Sequence, residues 1–450
     1  MLRQRFARAF MWPWAFAFFM AGLFLPKSLL AKDLPRLRSR VFGYIPYWTA
    51  SKNTWNFQGL TDIALFSVGA NDAGQLTSTS FWRSSQAKTI LEEAHKQGVS
   101  VELAVTNFDP TSLHNLLSDS AAVDKLIGAL VQEAFSTQSG DGLSIDFEGL
   151  RGADRAVFVS FVTKLRAAMK KVRADSRLSL ATPAVDWSKA YDYAALAAQS
   201  DTLFIMGYGY HYSGSSNPGP VAPLNCGAPW GNYCLSATVA NYLNIVGEAG
   251  RGKIVLGLPL YGYDYPADSD KIGAKSLGTG QAVFYSAARK QVKNRRYEPV
   301  SESPWYVYTD AKGQLHQVFY DDEESLGKKL DFVLGQNLGG VGFWALGYED
   351  DSLWRLVEQK MVLPEHPPSP HPGPLPPVEP SPETRPEDSI GDESGAQGCS
   401  MLPRSALSRN SAWQDVVFSV SVGLLALALN RQRRRARQNI QTISESPQQP

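Results

Sequence analysis

A closed barrel of eight parallel β-strands with helices between them is the fold this sequence predicts. Three observations carry it. Eight short apolar runs recur between Arg40 and Val362, helical patterns separate them, and polar and aromatic residues gather where the runs end. In such barrels the chemistry collects at the C-terminal ends of the strands.

The predicted strands are taken in chain order. Val41–Pro46 comes first and brings Tyr44, Tyr47 and Trp48 to its end, followed by Asp62–Val68 and Ser100–Thr106. Between the second and third, Lys88–Gln97 has helical spacing and is closed by Gly98, and Ala121–Phe135 reads as a helix before the fourth strand, Gly142–Glu148. In Ala153–Val172, residues Val157, Phe158, Phe161, Val162, Leu165, Ala168 and Val172 recur at three- and four-residue intervals, which predicts one buried helical face. Arg177–Thr182, Thr202–Gly207, Lys253–Pro259 and Gly340–Ala345 complete the set. The longest gap lies before the last strand. Within it Tyr306–Thr309, the turn Asp310–Gly313 and Leu315–Tyr320 read as a hairpin, so a small α+β insertion is expected at about residues 263–335.

The fourth strand is the most informative segment. Side chains on a strand alternate faces, so Leu143, Ile145 and Phe147 point one way and Ser144, Asp146 and Glu148 the other. Two carboxyls at i and i+2 on one face lie too close for both to ionise comfortably, so one is expected to hold a proton near neutral pH. A protonated Glu148 beside an ionised Asp146 is equipment for protonating a leaving-group oxygen, and points to a sugar-cleaving site. The other predicted strand ends supply Met206, Tyr208, Tyr210, His211, Tyr212, Tyr261, Tyr263, Asp264 and Trp344, aromatic and polar groups suited to a sugar pocket.

The rest of the chain sets the context. A formal net charge of +1 at pH 7 gives no basis for nucleic-acid binding. The 6 histidines are scattered and the 3 cysteines show no Cys/His spacing of metal-site type, so no metal and no cofactor are expected. Cys226 and Cys234 share one Gly/Pro/Asn-rich loop. A disulfide pinning that loop is expected in an oxidising compartment, with free buried thiols as the alternative. Arg3, Arg5 and Arg8 precede an apolar run from Ala9 to Leu25, which reads as an export signal over residues 1–31 or an uncleaved anchor. The dense region 40–362 is followed by a Pro-rich, then acidic stalk at 363–398, expected to be extended because it cannot bury a core. The tail 399–450 carries Cys399, an apolar run Val416–Leu429 and an Arg cluster, and that apolar run is short against the roughly 20 residues needed to cross a bilayer. Membrane association through this tail, an exported or cell-surface location and a monomeric state are the expectations.

The pieces Asp141-Gly-x-x-x-Asp146-x-Glu148, Met206-x-Tyr208, Ser216–Pro223, Pro259–Gly262, Asp321-Asp322-x-x-Ser325 and Gly339–Trp344 resemble, in order, those of the chitinase-type family-18 glycoside hydrolases. Tyr261–Asp264 and Leu346–Asp350 are similar to the bacterial branch that includes spore-cortex N-acetylglucosaminidases. The tail order of Gly-Cys, apolar run and Arg cluster resembles sorting tails of Gram-negative surface proteins.

The resemblance implies retaining, substrate-assisted hydrolysis of a GlcNAc-containing polysaccharide. Glu148 would be the general acid and then the base. Asp146 would bind the acetamido N–H, and Tyr208 would donate to the acetamido oxygen that attacks the anomeric carbon. Trp344 would floor the sugar, with Tyr44, Met206, Tyr261, Ser144 and Asp264 as further substrate-binding positions. Ser144 stands where the family commonly has Asp. A hydroxyl there is expected to hydrogen-bond Asp146 without taking up its charge, giving a narrower or shifted pH profile. The alternative is a catalytically inactive carbohydrate-binding surface protein, which the presence of Glu148 disfavours.

Overall fold

The computed structural model describes residues 37–52 and 55–363. The expected leader (1–31), the stalk beyond residue 363 and the tail (399–450) lie outside the described residues. Among the described residues no helix is long and apolar enough to cross a membrane.

The strands in chain order begin with β1 (Arg40–Pro46), β2 (Asp62–Ala70), β3 (Leu76–Thr77), β4 (Ser100–Asn107) and β5 (Gly142–Phe147). They continue with β6 (Arg177–Pro183), β7 (Thr202–Met206), β8 (Ile254–Pro259), β9 (Tyr261–Pro266) and β10 (Gln281–Phe284). The last are β11 (Arg296–Glu298), β12 (Ser303–Thr309), β13 (Leu315–Phe319) and β14 (Gly340–Trp344). Parallel pairing runs β1-β2-β4-β5-β6-β7-β8-β14 and returns to β1, which closes the barrel. The eight predicted strands are these eight, and the short β3 adds an antiparallel arm to β2.

The barrel closes because each strand is buried on both faces. Outward residues such as Leu143, Ile145 and Phe147 meet helices. Phe147 stacks on Phe161 at 5.6 Å between ring centroids, on helix α4. The helices run α1 (Ser85–Lys96), α2 (Pro110–Ser118), α3 (Ser120–Gln132), α4 (Arg155–Val172), α5 (Tyr193–Gln199), α6 (Leu235–Arg251), α7 (Tyr285–Ala288), α8 (Glu323–Gly335) and α9 (Asp351–Met361). On α4 the buried stripe is Phe158, Phe161, Val162, Leu165 and Met169. Val157 and Val172, expected on that face, are exposed instead: Val157 lies beside the buried stripe, and Val172 is the last residue of the helix.

Inside the barrel, the N-terminal end is plugged by charge. Arg177 pairs with Asp62, Glu102 accepts a hydrogen bond from Ser179, and Arg40 donates to Thr202. Burial first, and then Asp62, push the Glu102 carboxyl up to about 8. The opposite, C-terminal end holds the aromatic and carboxyl residues described next.

Between β8 and α8 the chain forms a separate antiparallel sheet in the order β10-β9-β13-β12-β11. The predicted hairpin is β12–β13, with Tyr306 opposite Val318. This insertion begins at Tyr261 and its last strand ends at Phe319, so the expected range of 263–335 starts late and runs too far. The later part of that range is α8, which packs on β14 and α9 in the barrel's own helical layer. The Asp321-Asp322-x-x-Ser325 motif is the start of α8. Asp322 caps it in a reciprocal box with Ser325, and Asp321 pairs with the buried Lys329.

Candidate active site

β5 aims Ser144 and Asp146 into the barrel, with Ala104 and Thr106 of β4 beside them in register. Glu148 follows one residue past the strand. Its backbone N–H donates to the Asn107 carbonyl at 3.0 Å, and the preceding Phe147 carbonyl accepts from the Tyr191 hydroxyl at 2.7 Å. The chain leaves the barrel immediately afterwards through Gly149, whose φ of +88° suits glycine and whose missing Cβ makes room for Pro110. Glu148 is therefore held at the rim by backbone bonds on both sides and is 7 % exposed.

Above these carboxyls opens a cavity of about 270 Å³, near the lower end of small-molecule sites. Tyr44, Asp146, Glu148, Met206, Tyr208 and Trp344 all line it. Trp344 is packed edge-on against Phe66 at 4.8 Å and lies 5.6 Å from the Tyr44 ring, which fixes it as an aromatic wall. The Tyr208 ring lies 6.3 Å from that of Tyr261 in a T-shaped contact.

Electrostatics single out Asp146. Its carboxyl is buried, Oδ1 has no hydrogen-bond partner among the described residues, and burial pushes it up to about 7. Burial thus favours a proton on Asp146, where the sequence predicts an ionised Asp146 beside a protonated Glu148. The phenol of Tyr208 is held well above its ordinary range by burial first, then by Tyr261 and Asp146. It stays a neutral hydroxyl donor through the physiological range. A neutral donor, a buried acceptor without a partner, a second carboxyl and an aromatic wall are the parts needed to orient an amide-bearing sugar and move a proton to its glycosidic oxygen.

Three of the predicted substrate-binding residues are placed elsewhere. Ser144 is fully buried and hydrogen-bonded to the Tyr44 hydroxyl at 2.8 Å, so its partner is Tyr44 rather than Asp146. Tyr261 lies behind Tyr208, buried. Asp264 faces the insertion sheet, where it accepts from the Tyr308 hydroxyl at 2.5 Å and pairs with His316 at 2.7 Å. The antiparallel register of β9 with β13 sets that partnership: Asp264 sits opposite Val318, two residues from His316.

Cys226 and Cys234 are disulfide-bonded, with Cα atoms 5.2 Å apart. The loop they close brings Trp230 and Tyr233 to the cavity, and the turn after β6 brings Trp187. Sequence reasoning passed over these three. The available signal was two aromatics enclosed between paired cysteines. His211 also lines the cavity. Burial pushes its imidazole down to about 4, and its Nδ1 donates to the Pro220 carbonyl at 3.1 Å, leaving Nε2 as an acceptor.

The model of glycosyl hydrolases family 18 matches residues 40–349, the whole barrel with its insertion. The chain belongs to glycosyl hydrolase family 18. It is 30% identical over 244 residues to YdhD of Bacillus subtilis, provisionally named a sporulation-specific glycosylase, a match covering 53% of this chain and 54% of YdhD. The chain thus spans about half the length of that relative. It is 27% identical over 334 residues to the di-N-acetylchitobiase of Mus musculus, covering 66% of this chain and 87% of the mouse protein. Its fold matches that of the family-18 chitinase from Cycas revoluta with a TM-score of 0.64 at 20% identity, covering 72% of this chain and 99% of the plant chain.

Proposed function

We propose that this family-18 chain is a retaining glycosidase acting on β-1,4-linked N-acetylglucosamine polymers, by attack of the substrate's own acetamido oxygen. The observation that carries the proposal is Asp146 Oδ1, a buried acceptor with no hydrogen-bond partner among the described residues, beside Glu148 and Tyr208 in one cavity. Leaving such an acceptor unpaired costs about 1–3 kcal/mol, a cost that a ligand N–H offsets. An acetamido group offers both halves of the match: its N–H for Asp146 and its carbonyl oxygen for the Tyr208 hydroxyl.

In this reading Glu148 protonates the bridging oxygen while the acetamido oxygen closes on the anomeric carbon from the opposite face. Glu148, now ionised, then takes a proton from the water that opens the oxazolinium ring. Asp146 stabilises the positive charge that develops on that ring. Trp344 floors the sugar, and Met206 and Tyr44 line the same subsite. Holding the internal nucleophile in place supplies a large share of the rate. This scheme departs from the usual pair of carboxylates, one of which would itself be the nucleophile.

The segment at 1–31 supports an exported enzyme, and the tail at 399–450 supports attachment at the cell surface. The mammalian relative is named a di-N-acetylchitobiase and the Bacillus one, provisionally, a sporulation-specific glycosylase, so chitin fragments and cell-wall glycan are both to be tested. Purified protein is incubated with chitin oligomers and with purified sacculi, and the products are identified by mass spectrometry. Cleavage of either at N-acetylglucosamine linkages supports the proposal. Binding of the oligomers with no cleavage at any pH would establish a carbohydrate-binding protein instead.

A further inference from the structure

We infer that Trp187 and Tyr233 form a clamp for a second pyranose ring of the same glycan, next to the ring held over Asp146 and Glu148. The inference rests on the glycosidase reading above and adds a subsite to it.

Trp187 and Tyr233 are 48% and 50% exposed, yet their rings meet in a T-shaped contact with centroids 4.8 Å apart. Both line the cavity that holds the two carboxyls. Two large aromatics left half in water beside a polar cleft keep apolar area exposed, which the hydrophobic effect opposes unless a ligand covers it. The C–H face of a pyranose has the shape and polarity to do so.

The two segments carrying these rings are built to hold still. The Cys226–Cys234 disulfide closes the first, and Gly227 and Gly231 exchange backbone hydrogen bonds of 2.8 and 2.9 Å within it. Trp230, in the same loop, donates its indole N–H to Glu298 at 2.6 Å and packs edge-on against Phe319, tying the loop to the insertion sheet. The segment carrying Trp187 is tied by Asp186, whose carboxylate accepts from the backbone N–H groups of Ala190 and Tyr191 at 3.1 and 2.9 Å. Rings fixed in this way lose little freedom when a sugar arrives, so contact converts to affinity with a small ordering loss. The insertion and the disulfide thus serve binding: they set the distance between Tyr233 and Trp187.

The test compares N-acetylglucosamine itself, a single ring, with its pentasaccharide. Binding is measured by calorimetry on Glu148→Gln protein, with and without Trp187→Ala or Tyr233→Ala, and folding is checked by circular dichroism. Each alanine variant is expected to weaken pentasaccharide binding about three- to tenfold more than monosaccharide binding, as loss of one aromatic contact predicts. Trp187→Phe and Tyr233→Phe are expected to restore most of that difference. Equal losses for both sugars, or no loss in either alanine variant, overturn the clamp while leaving the glycosidase reading intact. If the parent Glu148→Gln protein binds neither sugar, the substrate reading itself fails and the clamp falls with it.

Discussion

The hydroxyls of Tyr44 and Ser144 are 2.8 Å apart in the barrel interior, one residue pair below Asp146 on β5. This contact ties the first strand to the fourth and uses up the group nearest the catalytic candidates. Burial, and after it Asp146, hold the Tyr44 phenol well above its ordinary range, so both members of the pair are neutral. The Ser144→Ala variant leaves the buried Tyr44 hydroxyl without this partner. It is expected to lower unfolding free energy by about 1–3 kcal/mol in chemical denaturation. Unchanged stability would mean that the pair is incidental.

Asp146 connects stability to pH. Its carboxyl rises from an ordinary value of 3.8 to about 7 on folding. The folded state therefore favours the protonated form, so this group's contribution is intact below about pH 4 and is lost as pH climbs through 7. The loss is expected to be complete by about pH 8.5. Asp146→Asn removes the charge that is penalised. Relative to wild type it is expected to gain stability at pH 8.5 but not at pH 4, while kcat falls. Glu102, raised to about 8 by burial, has the same sign in both proteins and cancels from the comparison. A stability difference independent of pH would contradict this account of Asp146.

In the proposed mechanism Tyr208 is a hydrogen-bond donor, and burial holds its phenol well above the ordinary range. Tyr208→Phe is expected to lower kcat by about a hundredfold, in line with the loss of one preorganised donor, with a pH–rate profile of unchanged shape. If the variant instead moved the basic limb, the phenol would be acting as a titrating acid.

In the proposed mechanism, attack by the acetamido oxygen fixes the stereochemistry. Proton NMR during cleavage of a β-linked oligomer is expected to show the β-anomer as the first product, before mutarotation. Fully de-N-acetylated oligomers are expected to resist cleavage. An α-anomer first, or ready hydrolysis of the deacetylated sugar, would require a water or protein nucleophile.

The barrel was legible because its strands are short, apolar and bounded by turns, and because residues 144, 146 and 148 alternate with 143, 145 and 147 on one strand. Local periodicity determines those features. What escaped depends on pairing between distant segments. Asp264 looked like part of the site from its neighbours, but its partners His316 and Tyr308 arrive by antiparallel register from β13 and β12. The family resemblance implies a Ser144 hydrogen bond to Asp146, whereas the partner is Tyr44, about a hundred residues earlier. The charged plug of Asp62, Glu102 and Arg177 brings together residues from three strands far apart in sequence. Likewise Trp187 and Tyr233 meet only because two loops converge over the cavity.

Glu148 is where the account is most exposed to test. Reducing-sugar release and oligosaccharide binding are measured side by side on wild type and Glu148→Gln, using N-acetylglucosamine oligomers. The amide keeps the shape of the side chain but has no proton to give, so cleavage is expected to fall by about a thousandfold or more while the dissociation constant changes little. Retention of substantial cleavage by Glu148→Gln would contradict the assignment of the proton donor.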